Sequence, residues 1–322
     1  MLIVDPLDEK GHENFNRLFL DLLGESHTLL VSSSSNYRGG ALSNTRLFSS
    51  RLINKRFRFF YLLGQIIIIF RTLNFAIVNK EKCVVFLCYD LFALVFLSHF
   101  FYLFNIRLYL IEHNTFVPSS KVKSTLFNLI NKAAKHITLA PYIGSKIQRR
   151  KKKVISIWHP IKKIEFNSDN LLGVTLDKQK KILFMPSSTI SEKSKMEINN
   201  SIKCIEDVIL IRKGNGFSEE SNVIEQQYFE HYENIILRAN GILIPQKFDY
   251  RVSGVFFEAL NSSATIYMSN CAFSREMESC FGTKVKIVCD WSQFVVTEKC
   301  GKVIDADLWN NKIARILKNE VY

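Results

Sequence analysis

Glycine and proline are scarce in this 322-residue chain, which holds 13 glycines and 6 prolines. So few chain breakers predict regular elements joined by short connections, and they exclude collagen-like and Pro/Gly-rich disordered sequence. Hydrophobic residues make up 47% of the chain and charged residues 23%, which is typical of a folded globular protein. The length suits two domains of ordinary size.

Several motifs of familiar chemistry are also missing. The chain has no P-loop, no Gly-x-Gly-x-x-Gly fingerprint and no Gly-x-Ser-x-Gly elbow, and no Asp-x-Asp pair follows a predicted strand. Its seven cysteines include no Cys-x-x-Cys pair, and their spacing fits neither a zinc site nor a disulfide framework. We therefore expect free thiols in a reducing compartment, with no metal and no cofactor. The acidic, polar N-terminus does not resemble a signal peptide, so we expect a cytoplasmic protein.

Acidic residues are scarce in the N-terminal half only. Residues 1–165 hold 24 Lys and Arg against 10 Asp and Glu, whereas residues 166–322 hold 19 against 20. This asymmetry indicates an anionic partner for the N-terminal half, which could be an anionic membrane, a lipid diphosphate or nucleic acid. No nucleic-acid-binding module accompanies the charge, so we expect no nucleic acid.

Some of these cations form clusters that are typical of proteins lying on a membrane. One cluster adjoins the aromatic residues near Phe59, and the other is the basic run 149–153. The alternative is a solvated charge run beside a core helix. We assign six cations to membrane or acceptor contact: Lys55, Arg56, Arg58, Arg149, Arg150 and Lys151.

Two apolar stretches raise the question of a membrane span. Phe59 to Val78 is interrupted by polar residues, and Leu91 to Phe104 is shorter than the roughly 20 residues that a span needs. We expect both inside an α/β core, and we expect only peripheral contact with the inner face of the cell membrane.

Apolar strands alternate with helices along the whole chain, which predicts parallel sheets with covered faces. Residues 1–160 form a first, basic, membrane-facing series, and the polar residues 161–180 read as a linker. Residues 181–304 form a second series, in which Glu225 to Arg238 is predicted to be a helix. Residues 305–322 form a final helix that could cross back to the first domain.

The segment from Ala239 to Ser269 is the most informative part of the chain. A short strand, Gly241 to Pro245, runs into a polar loop, a Ser-Gly pair, a helix and a second strand. A Gly-containing loop at a helix N-terminus presents backbone N–H groups to an anion. Glu258 lies about one turn into this predicted helix, where its carboxylate could accept hydrogen bonds from a ribose. The segment therefore predicts a nucleotide-sugar site.

The run from Ser253 to Leu260, Ser-Gly-Val-Phe-Phe-Glu-Ala-Leu, resembles the donor segment of GT-B glycosyltransferases, especially those of family 4. The resemblance implies an α/β fold with two Rossmann-like domains facing a cleft. It implies that the C-terminal domain binds the nucleotide-sugar and the N-terminal domain binds the acceptor. The chain departs from the family at Tyr250, where an acidic residue is usual, and at Ser187 and Ser188, where an arginine is usual.

The resemblance also implies roles for individual residues. Cations at strand ends, such as Arg212 and Lys213, would replace a metal beside the diphosphate. His113, or Glu112 before it, would orient the transferred sugar or act as a base. The alternatives are solvated cations, a satisfied loop histidine and an ordinary helix cap. The predicted donor contacts are Ser253, Gly254, Val255, Glu258, Arg251, Arg212, Lys213, Lys193, Gly11 and His12.

These features together predict a metal-independent glycosyltransferase that elongates a lipid-linked saccharide of a surface polysaccharide. Family 4 implies retention of the anomeric configuration. Two alternatives remain: a nucleotide-sugar epimerase of the same architecture, and a catalytically degenerate relative that binds a partner in polysaccharide assembly.

Overall fold

The computed structural model describes residues 1–6, 13–24, 27–32, 45–48, 58–113, 120–165, 180–187, 189–203, 205–214 and 222–321. The chain divides into two compact units. The first consists of Met1–Pro160, Tyr250–Val252 and Asn310–Tyr322, and the second of Ile161–Asp249 and Ser253–Trp309. Each unit is built around one β-sheet.

The sheet of the first unit has seven strands, all paired in parallel, in the order β3-β2-β1-β4-β5-β6-β7. The strands are β1 Leu2–Asp5, β2 Thr28–Ser32, β3 Thr45–Phe48, β4 Cys83–Phe86, β5 Arg107–Glu112, β6 Lys135–Thr138 and β7 Lys153–Ser156. The near-continuous apolar sequences of β1 and β4 reflect burial on both faces, which is typical of strands inside a parallel sheet.

The helices of the first unit are α1 Glu13–Leu23, α2 Arg58–Val78, α3 Leu91–Leu103, α4 Lys121–Leu129 and α5 Pro141–Gln148. Side chains of α2 to α5 share one core with the sheet, to which Ile69, Phe101 and Phe127 contribute fully buried side chains. Asp90 and Ser120 begin α3 and α4 by accepting hydrogen bonds from backbone N–H groups, as N-cap residues do.

The sheet of the second unit has six parallel strands in the order β10-β9-β8-β11-β12-β13. They are β8 Lys181–Met185, β9 Val208–Lys213, β10 Val223–Gln226, β11 Gly241–Ile244, β12 Thr265–Ser269 and β13 Val285–Val288. The remaining helices are α6 Glu192–Lys203, α7 Tyr232–Arg238, α8 Gly254–Ala259, α9 Ala272–Phe281 and α10 Ala306–Val321. Residues of α10 from Asn310 onward belong to the first unit, where Tyr109 Oη donates to the carbonyl of Glu320 at 2.7 Å.

One predicted element is wrong. The stretch from Glu225 to Arg238 is not one helix, because Glu225 lies in strand β10 and the helix α7 begins only at Tyr232. Pairing with β9 and an ion pair between Glu225 and Arg212 draw this segment into the sheet. Strand β3, at the edge of the other sheet, was also not predicted.

Among the described helices, α2 is long and apolar enough from Phe59 to Val78 to cross a bilayer, judged by length and composition alone. Core helices of soluble proteins meet the same criterion. In α2, Ile69 and Ala76 are fully buried, whereas Phe59 and Phe70 are exposed. The helix therefore has one face in the core and one face outside it.

Candidate functional site

The order of strands in the second sheet indicates where a candidate binding site lies. From β8 the chain proceeds to β9 and β10 on one side and then returns to β11 on the other. Open α/β sheets bind ligands at such a switch point, outside the carboxyl ends of the strands. The loop that leaves β11 leads directly into α8, so the predicted donor segment lies at the switch point.

Glu258 is held by a tyrosine from the neighbouring helix. Tyr232, at the start of α7, donates its hydroxyl hydrogen to Oε2 of Glu258 at 2.6 Å. Burial raises the pKa of the Glu258 carboxyl, while the Tyr232 hydrogen bond and the charge of Lys162 oppose the rise. Burial raises the pKa of Tyr232 well above its ordinary value, so the phenol stays a donor. The carboxylate is therefore oriented and partly desolvated, as a hydrogen-bond acceptor for a ligand hydroxyl should be.

In the Ser-Gly pair before Glu258, the serine caps a helix and the glycine borders open space. The buried Ser253 Oγ accepts from the backbone N–H of Phe256 at 3.3 Å and so caps α8. Helix α8 has six residues. At Gly254 an added Cβ would meet no atom within 4 Å, and its φ is not positive. Neither packing nor backbone conformation therefore requires glycine at this position. The space next to Gly254 is open, and the neighbouring Val255 is half-buried.

The predicted phosphate-binding cations differ in how they are engaged. Arg212 is buried, forms an ion pair with Glu225 and donates to Asn199, so it fastens β9 to β10 and α6. Its neighbour Lys213 ends β9 and lines a cavity of about 660 Å³. Lys193 lies on α6 with an exposed side chain 3.7 Å from Glu197.

Two residues of the predicted donor loop belong to the first unit. The carbonyl of the exposed Arg251 accepts a hydrogen bond from Tyr142 Oη. The ring of Tyr250 lies 4.3 Å from Nζ of Lys146, within the range of a cation–π contact. A tyrosine packed against a lysine therefore occupies the position at which the resembling family carries an acidic residue.

The first sheet has its own switch point, between β1 and β4. Asp5 ends β1 and is 1% exposed. It accepts hydrogen bonds from Asn16 Nδ2 and Cys88 Sγ, each at 2.8 Å. Sequence reasoning missed Asp5, although an acidic residue that ends a buried strand is a signal for such a site. Gly11 and His12, which were predicted to lie near this turn, are outside the described residues.

Glu112 ends β5 and His113 directly follows it, one strand away from that switch point. Glu112 is 2% exposed, and its Oε1 accepts from Tyr89 Oη at 2.6 Å and from His136 Nδ1 at 2.7 Å. His113 is partly exposed, and its ring packs edge-on against Phe15 at a centroid distance of 4.4 Å. The Glu112 carboxylate is therefore buried and hydrogen-bonded inside the unit. Of the two residues, only His113 is partly exposed to solvent.

Metal ligands do not cluster in the described part of the chain, where no group of three His, Cys, Asp or Glu side chains could hold an ion. One Asp-x-Asp spacing exists, at the start of α10. Asp305 accepts there from the backbone N–H of Leu308 at 3.0 Å, and Asp307 lies 3.4 Å from Lys163. Asp305 thus caps α10, and Asp307, inside the helix, pairs with Lys163.

The basic run 149–153 does not form a uniform surface. Arg149 and Lys151 are exposed, whereas Arg150 donates to Ser124 Oγ at 2.6 Å. Lys152 is buried and donates to the carbonyl of Asn128 at 2.9 Å, and burial lowers its pKa to about 8. Lys55, Arg56 and the side chain of Arg58 lie outside the described residues.

Comparison with known proteins decides the fold. No family model matches the sequence, and no curated protein matches it significantly. Among solved structures, Anabaena HepE in complex with UDP-glucose matches with a TM-score of 0.66 and 13% identity, over 99% of this chain and 100% of HepE. The chain has the GT-B fold. The predicted α/β class with two Rossmann-like units is therefore confirmed.

Two further GT-B structures resemble the chain over nearly its full length. The lipopolysaccharide outer core galactosyltransferase WaaB, without ligand, matches with a TM-score of 0.58 and 12% identity, over 100% of this chain and 92% of WaaB. A Listeria monocytogenes protein assigned as a UDP-N-acetylglucosamine 2-epimerase matches with a TM-score of 0.54 and 11% identity, over 99% of this chain and 88% of that protein. At such identities the likeness establishes the fold and not the reaction.

Proposed function

We propose that this GT-B protein is a glycosyltransferase that moves a sugar from a nucleotide-sugar to a lipid-linked saccharide during synthesis of a surface polysaccharide. The observation that carries the proposal is the full-length match to a structure that holds UDP-glucose. The match to a lipopolysaccharide galactosyltransferase supports the acceptor class. We place the protein at the inner face of the cell membrane, where such acceptors are made.

The roles of the residues follow from their surroundings. Glu258, oriented by Tyr232, accepts hydrogen bonds from the ribose of the donor. Open space at Gly254 admits the donor phosphates, and Lys213 supplies positive charge at a strand end. His113 orients the sugar or accepts the acceptor proton, whereas the carboxylate of Glu112 is held by Tyr89 and His136. Because side-chain cations serve the leaving group in this scheme, it needs no metal.

Ligand binding is the first test. Uridine, guanosine, adenosine and cytidine diphosphates and their sugar conjugates are added to the full chain, and the melting temperature is followed. A ligand at 100 times its dissociation constant stabilises the folded state by about 2.7 kcal/mol. We expect one nucleotide and its sugar conjugate to raise the melting temperature. No shift with any nucleotide would favour the catalytically degenerate relative.

The reaction is tested with the nucleotide-sugar that binds. With a lipid-diphosphate saccharide present, we expect sugar transfer and release of the nucleotide diphosphate, in the presence of a chelator as well as in its absence. We further propose retention of configuration, which NMR of the anomeric proton in the product would test. Conversion of the nucleotide-sugar to an isomer without any acceptor would instead establish the epimerase, which the Listeria likeness keeps as the second candidate.

A further inference from the structure

Helices α2 and α3 present a continuous apolar stripe on the outer side of the first unit. Along α2 the exposed residues Phe59, Leu63, Ile66 and Phe70 recur at helical spacing. On the adjacent α3, Phe96 is 73% exposed and Leu103 is 72% exposed. Soluble proteins rarely leave so many large apolar side chains uncovered side by side, and such patches mark contact sites.

The stripe is not one side of a membrane-spanning helix. The opposite side of α2 forms part of the core, where Ile69 and Ala76 are fully buried. Gln65 is also buried, and its Nε2 donates to the carbonyl of Pro6 at 3.3 Å. A helix that crossed a bilayer would have to leave this core, so the stripe can meet lipid only from the side, as interfacial helices do.

Basic residues outnumber acidic residues around the stripe. Helices α2, α3 and α4 contain no Asp or Glu, and no acidic residue occurs from position 113 to position 164. Lys121 and Lys123 on α4 are exposed, as are Arg149 and Lys151 beyond α5. A partner that is apolar inside and negatively charged at its surface complements this arrangement.

A cavity of about 250 Å³ opens where the stripe reaches the amino ends of the strands. Tyr102, which belongs to the exposed end of α3, lines the cavity together with Arg107, Lys135 and Lys153. These three cations begin β5, β6 and β7, so three neighbouring strands bring them together. Glu320 lies 3.2 Å from Lys135 and offsets one of the three charges, which leaves the cavity net positive.

We propose that α2 and α3 dock on an anionic phospholipid bilayer and that the cavity beside Tyr102 receives a phosphate-bearing lipid headgroup. Phe96, Phe100 and Leu103 enter the boundary between headgroups and acyl chains, and Arg107 and Lys153 contact the phosphodiester. This inference rests on the proposed function, because it specifies which surface makes the proposed membrane contact. The surface shares Arg149 and Lys151 with the six cations predicted from the sequence and adds the apolar stripe and the cavity.

Flotation of the full chain with vesicles tests the docking surface. The vesicles are phosphatidylcholine alone or phosphatidylcholine mixed with phosphatidylglycerol. We expect binding to the mixed vesicles and little binding to phosphatidylcholine. Each cation near an anionic surface contributes about 1 kcal/mol, so Arg107→Gln with Lys153→Gln should weaken binding by about 30-fold. Phe96→Gln with Leu103→Gln, which removes two large apolar side chains, should weaken it at least about 10-fold.

Matched control variants carry the same changes elsewhere. Lys286→Gln with Lys302→Gln removes two exposed cations of the second unit, and Met196→Gln with Leu308→Gln removes two exposed apolar side chains of that unit. We expect both controls to bind vesicles as the unchanged chain does. Equal losses in the test and control variants would mean non-specific adsorption and would overturn the proposal.

Two other results would also overturn it. If Phe96→Gln with Leu103→Gln leaves vesicle binding unchanged, the stripe does not enter lipid. If the same variant converts a dimer to a monomer in sedimentation velocity, the stripe covers a second copy of the chain. Nucleotide-induced melting shifts and transfer to a soluble acceptor fragment are measured on the same variants. If a variant keeps its melting shift and its transfer activity but no longer floats with vesicles, only docking has failed. If the unchanged chain floats but shows neither melting shift nor transfer, only the proposed function has failed.

Discussion

Tyr232 donates its hydroxyl hydrogen to Glu258 across 2.6 Å, and burial raises the pKa of both side chains. A raised folded pKa means that the folded chain keeps its proton at a pH where the unfolded chain has lost it. The free energy of unfolding therefore falls as the pH rises through that window, and ionised Glu258 costs stability at neutral pH. A carboxylate kept at such a cost is expected to serve a ligand.

Glu258→Gln tests this role. The amide oxygen still accepts from Tyr232 and the buried charge is gone, so we expect an unchanged or higher melting temperature at neutral pH. Loss of a charged hydrogen bond to the donor should weaken nucleotide-sugar affinity by about 10-fold to 100-fold. Glu233→Gln, which removes a charge beside Tyr232, is the control and should keep its affinity. Unchanged affinity in Glu258→Gln would remove Glu258 from the donor site.

Alanine substitutions at two glycines, Gly254 and Gly241, distinguish an effect on ligand binding from an effect on core packing. At Gly254 an added Cβ meets nothing within 4 Å, so Gly254→Ala should keep or slightly raise stability, by up to about 1 kcal/mol. If donor phosphates occupy that space, affinity measured by titration calorimetry should fall at least about 10-fold.

Gly241→Ala is the opposite case. Its Cβ would lie 2.7 Å from Tyr267 Cε2 and 2.8 Å from Leu183 Cδ2, inside the sheet. We expect a loss of about 1–3 kcal/mol in urea unfolding and unchanged affinity of the folded protein. A Gly254→Ala variant with full affinity would show that no ligand atom approaches that residue.

Substitutions at the adjacent residues Arg212 and Lys213 should have different effects on stability and on nucleotide binding. Arg212→Met leaves Glu225 without its cation in a mostly buried pair and should cost about 3 kcal/mol of stability, part of which Arg212→Met with Glu225→Gln should restore. Lys213→Gln should change stability by less than about 0.5 kcal/mol and weaken binding of nucleotide diphosphates. The reverse pattern in denaturation and binding would assign the phosphate contact to Arg212.

His113 and His159 both contact the ring of Phe15, with centroid distances of 4.4 Å and 5.0 Å. If His113 orients the sugar or takes the acceptor proton, His113→Asn should lower kcat at least about 100-fold without changing the melting temperature. His159→Asn, at a residue that contacts the same ring, is the control and should keep its kcat. Equal activities of the two variants would exclude a catalytic role for His113.

Lys284 predicts how stability depends on pH. It is fully buried, donates to the carbonyl of Ser262, and burial lowers its pKa from 10.5 to about 8. Between these pH values the unfolded chain holds a proton that the folded chain lacks, so raising the pH favours the folded state. Urea unfolding should show wild type gaining up to about 3 kcal/mol relative to Lys284→Met as the pH rises through this window. A stability difference that does not change with pH would contradict this burial.

The sequence predicted most strands and helices because their signals are local. A continuous apolar run such as Cys83–Phe86 indicates burial on both faces, and Ser253 indicates a helix start from its residue type. The two strands it missed, β3 and β10, are four-residue strands at sheet edges. Their extended conformation depends on pairing with a neighbour and not on a pattern of their own.

The sequence by itself determined the α/β class, the two Rossmann-like series, the excess of basic residues in the first half and the strand-loop-helix order around Ser253. Each of these depends on residue type and spacing along a continuous stretch of chain. Only the tertiary structure decided which polar groups are available. Arg212 is engaged because Glu225 lies beside it, Glu112 because His136 reaches it, and Lys152 because it is buried under α4. These partners are 13 or more residues away, and only folding brings them into contact.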